Sequence, residues 1–398
     1  MQKRHSFKKQ NLILLISIFI GLALGRLGLP WLNQGAEIIA ETFLKLLRLI
    51  SLPLVFVAVG STITSIENIQ TIFSLGKRIL YYTLLTTIIA SFIGLILFVV
   101  LQPKVLLEGE SHVTSGNVGY INVLANILPE NIFKPFLEGN VISVVFLAAI
   151  LSFASLFTKD REKSFIRELF NSTFSMFLSL AKGVLKFLPI AAIAFAILVY
   201  RDMSNYSHLK SFSKYFICVI ASNLIQGIVV LPLLLKINRL SPLKTAMAMS
   251  PALITAFFSK SSATTLPLTM EVAEEQLHIH PKLSRFGFPL CSVINMNGCA
   301  AFILITTLFV GVSNGIEFSP FSMLVWVFIA TLAAVGNAGV PMGCYFLTLS
   351  LLTSMKIPLS LLGFILPFYT IIDMIETALN VWSDSCVVCL ANKQFHHI

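Results

Sequence analysis

Residues 373–384 read DMIETALNVWSD inside a run, 358–390, that is otherwise mostly apolar and contains no Lys or Arg. At about 100° per residue on an α-helix, Asp373, Thr377, Asn380 and Asp384 fall within about 60° of one another. Glu376 sits on the edge of that stripe, and Trp382 on the opposite face. A charged carboxylate left unpaired at the centre of a bilayer costs about 2.5 kcal/mol or more. Three of them on one apolar helix therefore need positive charge from elsewhere: a metal cation, a proton, a substrate ammonium, or Lys260.

The rest of the chain supports a membrane setting. Of 398 residues, 56% are hydrophobic and 12% charged, whereas soluble globular domains carry about 25% charged residues. A helix crossing the hydrocarbon core needs about 20 mainly apolar residues, so the length allows many crossings and leaves no room for a large soluble domain. The net charge of +10 follows from topology. With the N-terminus inside, 16 of the 28 Lys and Arg residues fall on cytoplasmic stretches and 5 on the opposite side, an asymmetry that sets orientation without a nucleic-acid partner. The basic start followed by an apolar run resembles a signal peptide. It lacks a small-x-small cleavage site, and is read as a retained first helix.

Full crossings are expected at 11–32, 42–66, 79–101, 138–157, 172–199, 213–236, 285–311 and 358–390. Two further segments, 243–276 and 319–356, are apolar on both sides of a break: Ser259-Lys260-Ser261-Ser262 with Thr264-Thr265-Leu266-Pro267 in the first, Gly336-Asn337-Ala338-Gly339-Val340-Pro341 in the second. Non-helical backbone at membrane depth survives only where protein buries it or water lines it, so each segment is expected to be a re-entrant hairpin of two half-helices. Paired interrupted segments point to a transporter's binding site. The expected fold is thus an all-α polytopic membrane protein. The polar stretch 102–137 reads as an external loop.

Asn295-Met296-Asn297-Gly298 interrupts the 285–311 span, and a local unwinding there would supply carbonyl oxygens to a cation. The six cysteines, Cys218, Cys291, Cys299, Cys344, Cys386 and Cys389, are scattered through apolar segments and are read as packing residues. Oxygen-rich ligand sets suit hard cations, so coupling to Na+ or H+ is the expectation.

In order along nearly the whole chain, Leu52-Pro-Leu-Val-Phe, Thr86-Thr87, Ser261-Ser262 with Thr265-Leu-Pro, Asn295-Met-x-Gly, Gly339-Val-Pro and Asp373-Met-x-x-Thr-x-x-Asn-Val-x-x-Asp384 resemble the dicarboxylate/amino acid:cation symporter family, which includes the glutamate transporters. The resemblance implies eight transmembrane helices plus two re-entrant helical hairpins arranged as inverted repeats. It also implies a homotrimer and a transport unit moving like an elevator. Residues 1–240 would be mainly scaffold, with spans 3 and 6 joining the transport core of 241–398. Carried over by position, Asp373 would hold a substrate amino group, Thr377 and Asn380 its polar atoms, and Ser262 with the hairpin backbones at Ser261 and Val340 its α-carboxylate. Asp384, Asn295 and Asn380 would hold Na+, and Thr86 and Thr87 with Asn297 fall at a further Na+ site. No enzyme activity and no covalent cofactor are expected, and the setting is a bacterial inner membrane with both termini cytoplasmic.

Three departures matter. Where acidic-substrate members carry Arg in the last helix, this chain has Glu376. The family's Asn-Met-Asp-Gly-Thr reads Asn-Met-Asn297-Gly-Cys299 here, which removes a charged ligand and a hydroxyl. Ala334 and Asn337 stand where Ser and Thr are usual. Like charges about 4 Å apart at an effective dielectric of about 20 repel by about 4 kcal/mol, roughly a thousandfold in affinity. Neutral or cationic amino acids are therefore favoured, with a glutamate or dicarboxylate symporter carrying a protonated Glu376 as the alternative. A passive channel is distinguished by flux that does not saturate. An intramembrane aspartyl protease is disfavoured because Asp373 and Asp384 lie about 16 Å apart on one helix, too far to share a proton.

Overall fold

The computed structural model describes residues 2–65, 76–105, 127–202, 206–337, 339 and 341–395, and every regular element among them is helical. Most of the expected external loop, including Glu108 and Glu110, and the expected binding residue Val340 lie outside the described residues. The helices are α1 (Gln2–Gly25), α2 (Pro30–Thr64), α3 (Lys77–Leu101), α4 (Lys134–Glu138), α5 (Val141–Ser155), α6 (Asp160–Leu185), α7 (Leu188–Asp202), α8 (Tyr206–Ile225), α9 (Leu231–Ile237), α10 (Pro242–Ser259), α11 (Ser262–Leu277), α12 (Pro281–Ile294), α13 (Asn297–Ser313), α14 (Pro320–Val335), α15 (Gly343–Ser354) and α16 (Ser360–Phe395). A π-helical turn, Gln226–Val230, joins α8 to α9.

Among the described residues, five stretches are long and apolar enough to cross a membrane, or six if the bent pair α6–α7 is one span. The expected span 172–199 is not one helix: α6 and α7 meet at a 52° bend. Pro189, the second residue of α7, has no N–H to give the preceding turn and its ring blocks a continuous helix. Span 42–66 starts earlier than expected, because Pro30 opens α2 and the helix runs 35 residues. The α5 helix, at 15 residues, spans only about 22 Å at 1.5 Å per residue.

The expected breaks are all present. Between α12 and α13, Asn295 and Met296 leave the helical region, with φ/ψ of −99°/67° and −104°/64°. Lys260, between α10 and α11, has φ 52°, and Met342, before α15, has φ 61°. Left-handed backbone at a residue with a side chain costs on the order of 1 kcal/mol or more and persists where the surroundings fix it. The α10 and α11 helices pack against each other across their break.

Packing places α16 at the centre of α10, α11, α12 and α13, while α13 in turn packs on α3 and α8. The helices α2, α5, α6 and α7 pack among themselves, and α1 packs on α7. Two apolar clusters result. One holds Phe302, Tyr345, Tyr369 and Ile372; the other holds Phe288, Leu379, Trp382 and Cys386. Along α16 the chain passes from the first cluster to the second between Ile372 and Leu379, and the polar stripe begins at that passage.

Candidate functional site

The polar stripe of α16 is buried along its length. Asp373, Glu376, Thr377, Asn380 and Asp384 are all less than 7% exposed. No described residue of this segment offers a fixed positive charge, so its partners come from the breaks in the neighbouring helices.

At the upper part of the stripe, Asp373, Glu376, Thr377 and Asn380 line a cavity of about 10 Å³ with Lys260, Ser262, Met296, Cys299, Asn337 and Gly339. A single water needs about that much room, so the space as it stands is too small for an amino acid. Lys260, held at the break between α10 and α11, attracts Asp373 across it, and the backbone N–H of Met342 faces the same carboxylate. Both broken segments therefore converge on Asp373. Thr377 donates its hydroxyl to the Asp373 carbonyl at 2.7 Å, which leaves its lone pairs to a ligand. Oδ2 of Asp373 and Oε1 of Glu376 are buried without a hydrogen-bond partner among the described residues.

Of the expected substrate residues, Ser262 lines the pocket, whereas the Ser261 hydroxyl caps α11, accepting from the Thr264 N–H at 3.2 Å. That is the ordinary use of Ser at a helix N-terminus. Tyr369 was not singled out by the sequence reading, yet its hydroxyl donates to Glu376 Oε2 at 2.9 Å. Its spacing, seven residues before Glu376 and so on the same helix face, was a usable signal.

Asn337 turns its amide into the pocket, Nδ2 lying 3.0 Å from the sulfur of Cys299 and 3.5 Å from that of Cys344. The sulfurs of these two cysteines lie against each other between α13 and α15, with Cα atoms 5.3 Å apart. The contact joins residues 45 positions apart on separate helices, which spacing along the chain could not reveal. Cys218, Cys291, Cys386 and Cys389 are buried free thiols.

Beneath the pocket lies a second polar group. Thr86, Thr87, Asn295 and Asn297 come together from α3 and the α12–α13 break. Asn297 Nδ2 donates to Asn295 Oδ1 at 2.9 Å and lies 3.3 and 3.4 Å from the hydroxyl oxygens of Thr86 and Thr87. Asn295 Nδ2 donates to Asp384 Oδ1 at 2.9 Å and to Ser383 at 3.0 Å. Asn380 does not join this cluster, because its Oδ1 accepts the Gly298 N–H at 3.0 Å and its Nδ2 points to Met296 and Cys299. The six expected cation residues thus divide into a five-membered group at Asp384 and one that belongs to the pocket above.

A helix carrying buried carboxylates, two broken segments meeting at one of them, and a third break at Asn295–Met296 make an arrangement suited to alternating exposure of a small polar solute. Residues 11–394 match the family described as "Sodium:dicarboxylate symporter family". The chain belongs to that family. Its relatives span most of the chain at low identity. An "Uncharacterized symporter" of Haemophilus influenzae is 26% identical over 92% of this chain and 90% of its own length. "Neutral amino acid transporter B(0)" of Oryctolagus cuniculus is 26% identical over 95% of this chain and 79% of its own. "Excitatory amino acid transporter 3" of Mus musculus is 23% identical over 87% and 76%. Members of the sodium:dicarboxylate symporter family are transporters, not enzymes. This symporter is accordingly an integral membrane protein, with the apolar helices that setting requires.

Proposed function

We propose that the protein is a cation-coupled secondary active symporter, driven by Na+, H+ or both, for amino acids, with neutral or cationic side chains favoured over acidic ones. The observation that carries this is the charge of the pocket: among its lining residues Asp373 and Glu376 face a single cation, Lys260. An α-amino group would sit at Asp373, replacing part of the role of Lys260. A second carboxylate on the substrate would meet Glu376 at about 4 Å, where the repulsion is about 4 kcal/mol. The relatives named for neutral and for excitatory amino acids are compatible with either side-chain class, and the charge of the pocket supports the neutral or cationic one. Thr377, Asn380 and Ser262 would take the remaining polar atoms, with Ser261 and Val340 contributing backbone at the two tips.

In this reading 243–276 and 319–356 are re-entrant hairpins, the fold comprises eight crossings, and 241–398 with spans 3 and 6 forms the moving core of an elevator. The first 240 residues serve mainly as scaffold of a homotrimer, in a bacterial inner membrane with both termini inside. Asp384 is the charged group offered to the coupling ion. A glutamate or dicarboxylate substrate is the second reading, favoured by one feature: Oε1 of Glu376 has no partner among the described residues, and a proton there would remove the repulsion.

The test is uptake into proteoliposomes, with a competition panel of the standard amino acids plus malate, succinate and fumarate, in Na+ and in choline at two pH values. Saturable uptake that needs an inward cation gradient and is displaced by neutral or cationic amino acids is expected. Uptake indifferent to both Na+ and H+ gradients would reject coupling, and displacement by the dicarboxylates alone would select the second reading.

A further inference from the structure

The side chain of Gln226, from the π-helical turn between α8 and α9, is fully buried in the Thr86–Asn297 group. Its Nε2 donates to Asn297 Oδ1 at 2.6 Å and to the Thr86 carbonyl at 3.0 Å. Both hydrogens of the amide are spent on oxygens of the group, whereas its own Oε1 has no partner among the described residues. The other oxygens are likewise supplied with donors: Asn295 Oδ1 receives Asn297 Nδ2 and lies 3.3 Å from the hydroxyls of Thr86 and Ser383. Oxygen atoms that converge on a point want positive charge there, from a hard cation or from N–H hydrogens. Here the N–H hydrogens come from the protein.

We propose that the Gln226 carboxamide is a tethered substitute for a coupling cation, so that the oxygen group of Thr86, Thr87, Asn295 and Asn297 takes no Na+ in this chain. This rests on the symporter reading for its meaning, since it fixes which part of the fold does not bind the driving ion. Two features of the chain act together in it. Asn297 contributes no negative charge, which weakens the attraction for a cation, and it contributes two donors of its own. Gln226 then occupies the remaining acceptors. The π-turn is what allows this: one extra residue in the helical turn advances the side chain to face α3 and α13, and the turn is held in place by Trp382, whose Nε1 donates to the Gly227 carbonyl at 3.0 Å. An ion could enter only by breaking the two hydrogen bonds of Gln226, leaving a buried amide unsatisfied.

The test is equilibrium binding of radioactive 22Na+ to the purified full chain, with folding followed by circular dichroism and size exclusion. Gln226→Ala removes the donors and opens space, and is expected to bind one more Na+ per chain than wild type. Thr87→Ala in the wild-type background is expected to change the half-saturating Na+ concentration by less than twofold. Equal Na+ counts in wild type and folded Gln226→Ala would overturn the proposal, as would a tenfold or greater weakening of Na+ binding by Thr87→Ala. The Thr87→Ala comparison stands alone if Gln226→Ala does not fold. Neither arm needs a transported substrate, so failure to find one bears on the symporter reading and leaves this test intact.

Discussion

The hydroxyl of Tyr369 holds one oxygen of Glu376 at 2.9 Å from two turns earlier on the same helix, leaving the other oxygen without a partner among the described residues. The tyrosine thus fixes which way the carboxyl faces. Tyr369 also packs against Phe302 and Tyr345, with ring centroids 4.6 and 5.6 Å away, so its own position is set by α13 and α15.

Tyr369→Phe keeps that packing and removes the donor. A buried acceptor left unpaired costs about 1–3 kcal/mol, and a loss of thermal stability of that order is expected. Uptake is expected to persist with altered discrimination among amino acids, read as the ratio of inhibition constants in a competition assay. An unchanged ratio would separate Tyr369 from selectivity.

Glu376→Arg reverses the charge of the pocket wall. Affinity for acidic substrates is expected to rise by tenfold or more relative to neutral ones, since the roughly 4 kcal/mol repulsion is replaced by attraction. Competition by glutamate, aspartate and the C4 dicarboxylates measures it. Discrimination that stays as in wild type would count against the charge argument.

Asp384→Asn is expected to abolish the dependence of uptake on a cation gradient while leaving exchange of internal for external substrate intact. The side chain is nearly isosteric and can still accept from Asn295, whose Nδ2 lies 2.9 Å from Oδ1. Gradient-driven accumulation equal to wild type would remove Asp384 from the coupling role.

Gly298 lies where α13 begins, beside α16. A Cβ added there would come within 2.9 Å of the Glu376 Cα and of the Asn223 side-chain oxygen, and the first of these is backbone. Gly298→Ala is therefore expected to push the two helices apart, destabilising by about 1–3 kcal/mol and weakening substrate affinity, because Asn380 receives the Gly298 N–H. A melting temperature and affinity matching wild type would show that the interface yields more readily than this spacing implies.

Much of the site could be read along the chain. Helical periodicity is fixed by backbone geometry, so the stripe from Asp373 to Asp384 emerged from spacing alone. Polar or Gly/Pro residues in apolar runs likewise marked the breaks at Lys260, Asn295 and Met342, because helical hydrogen bonding in an apolar medium makes any interruption conspicuous. The order of short motifs along the chain marks the family, because motif order is a property of sequence alone.

Other features required the assembled molecule. The bend at Pro189 was missed although the proline was visible, because prolines at 53, 251 and 367 sit inside helices that continue, and packing decides which interruption becomes a corner. The meeting of Cys299 with Cys344, and of Gln226 with Asn297, joins residues 45 and 71 positions apart. Sequence determined which faces are polar, since that depends on local repeat alone. Tertiary structure decided which polar groups satisfy each other, because hydrogen bonding is short-ranged and directional, and only the packed helices bring donors to acceptors.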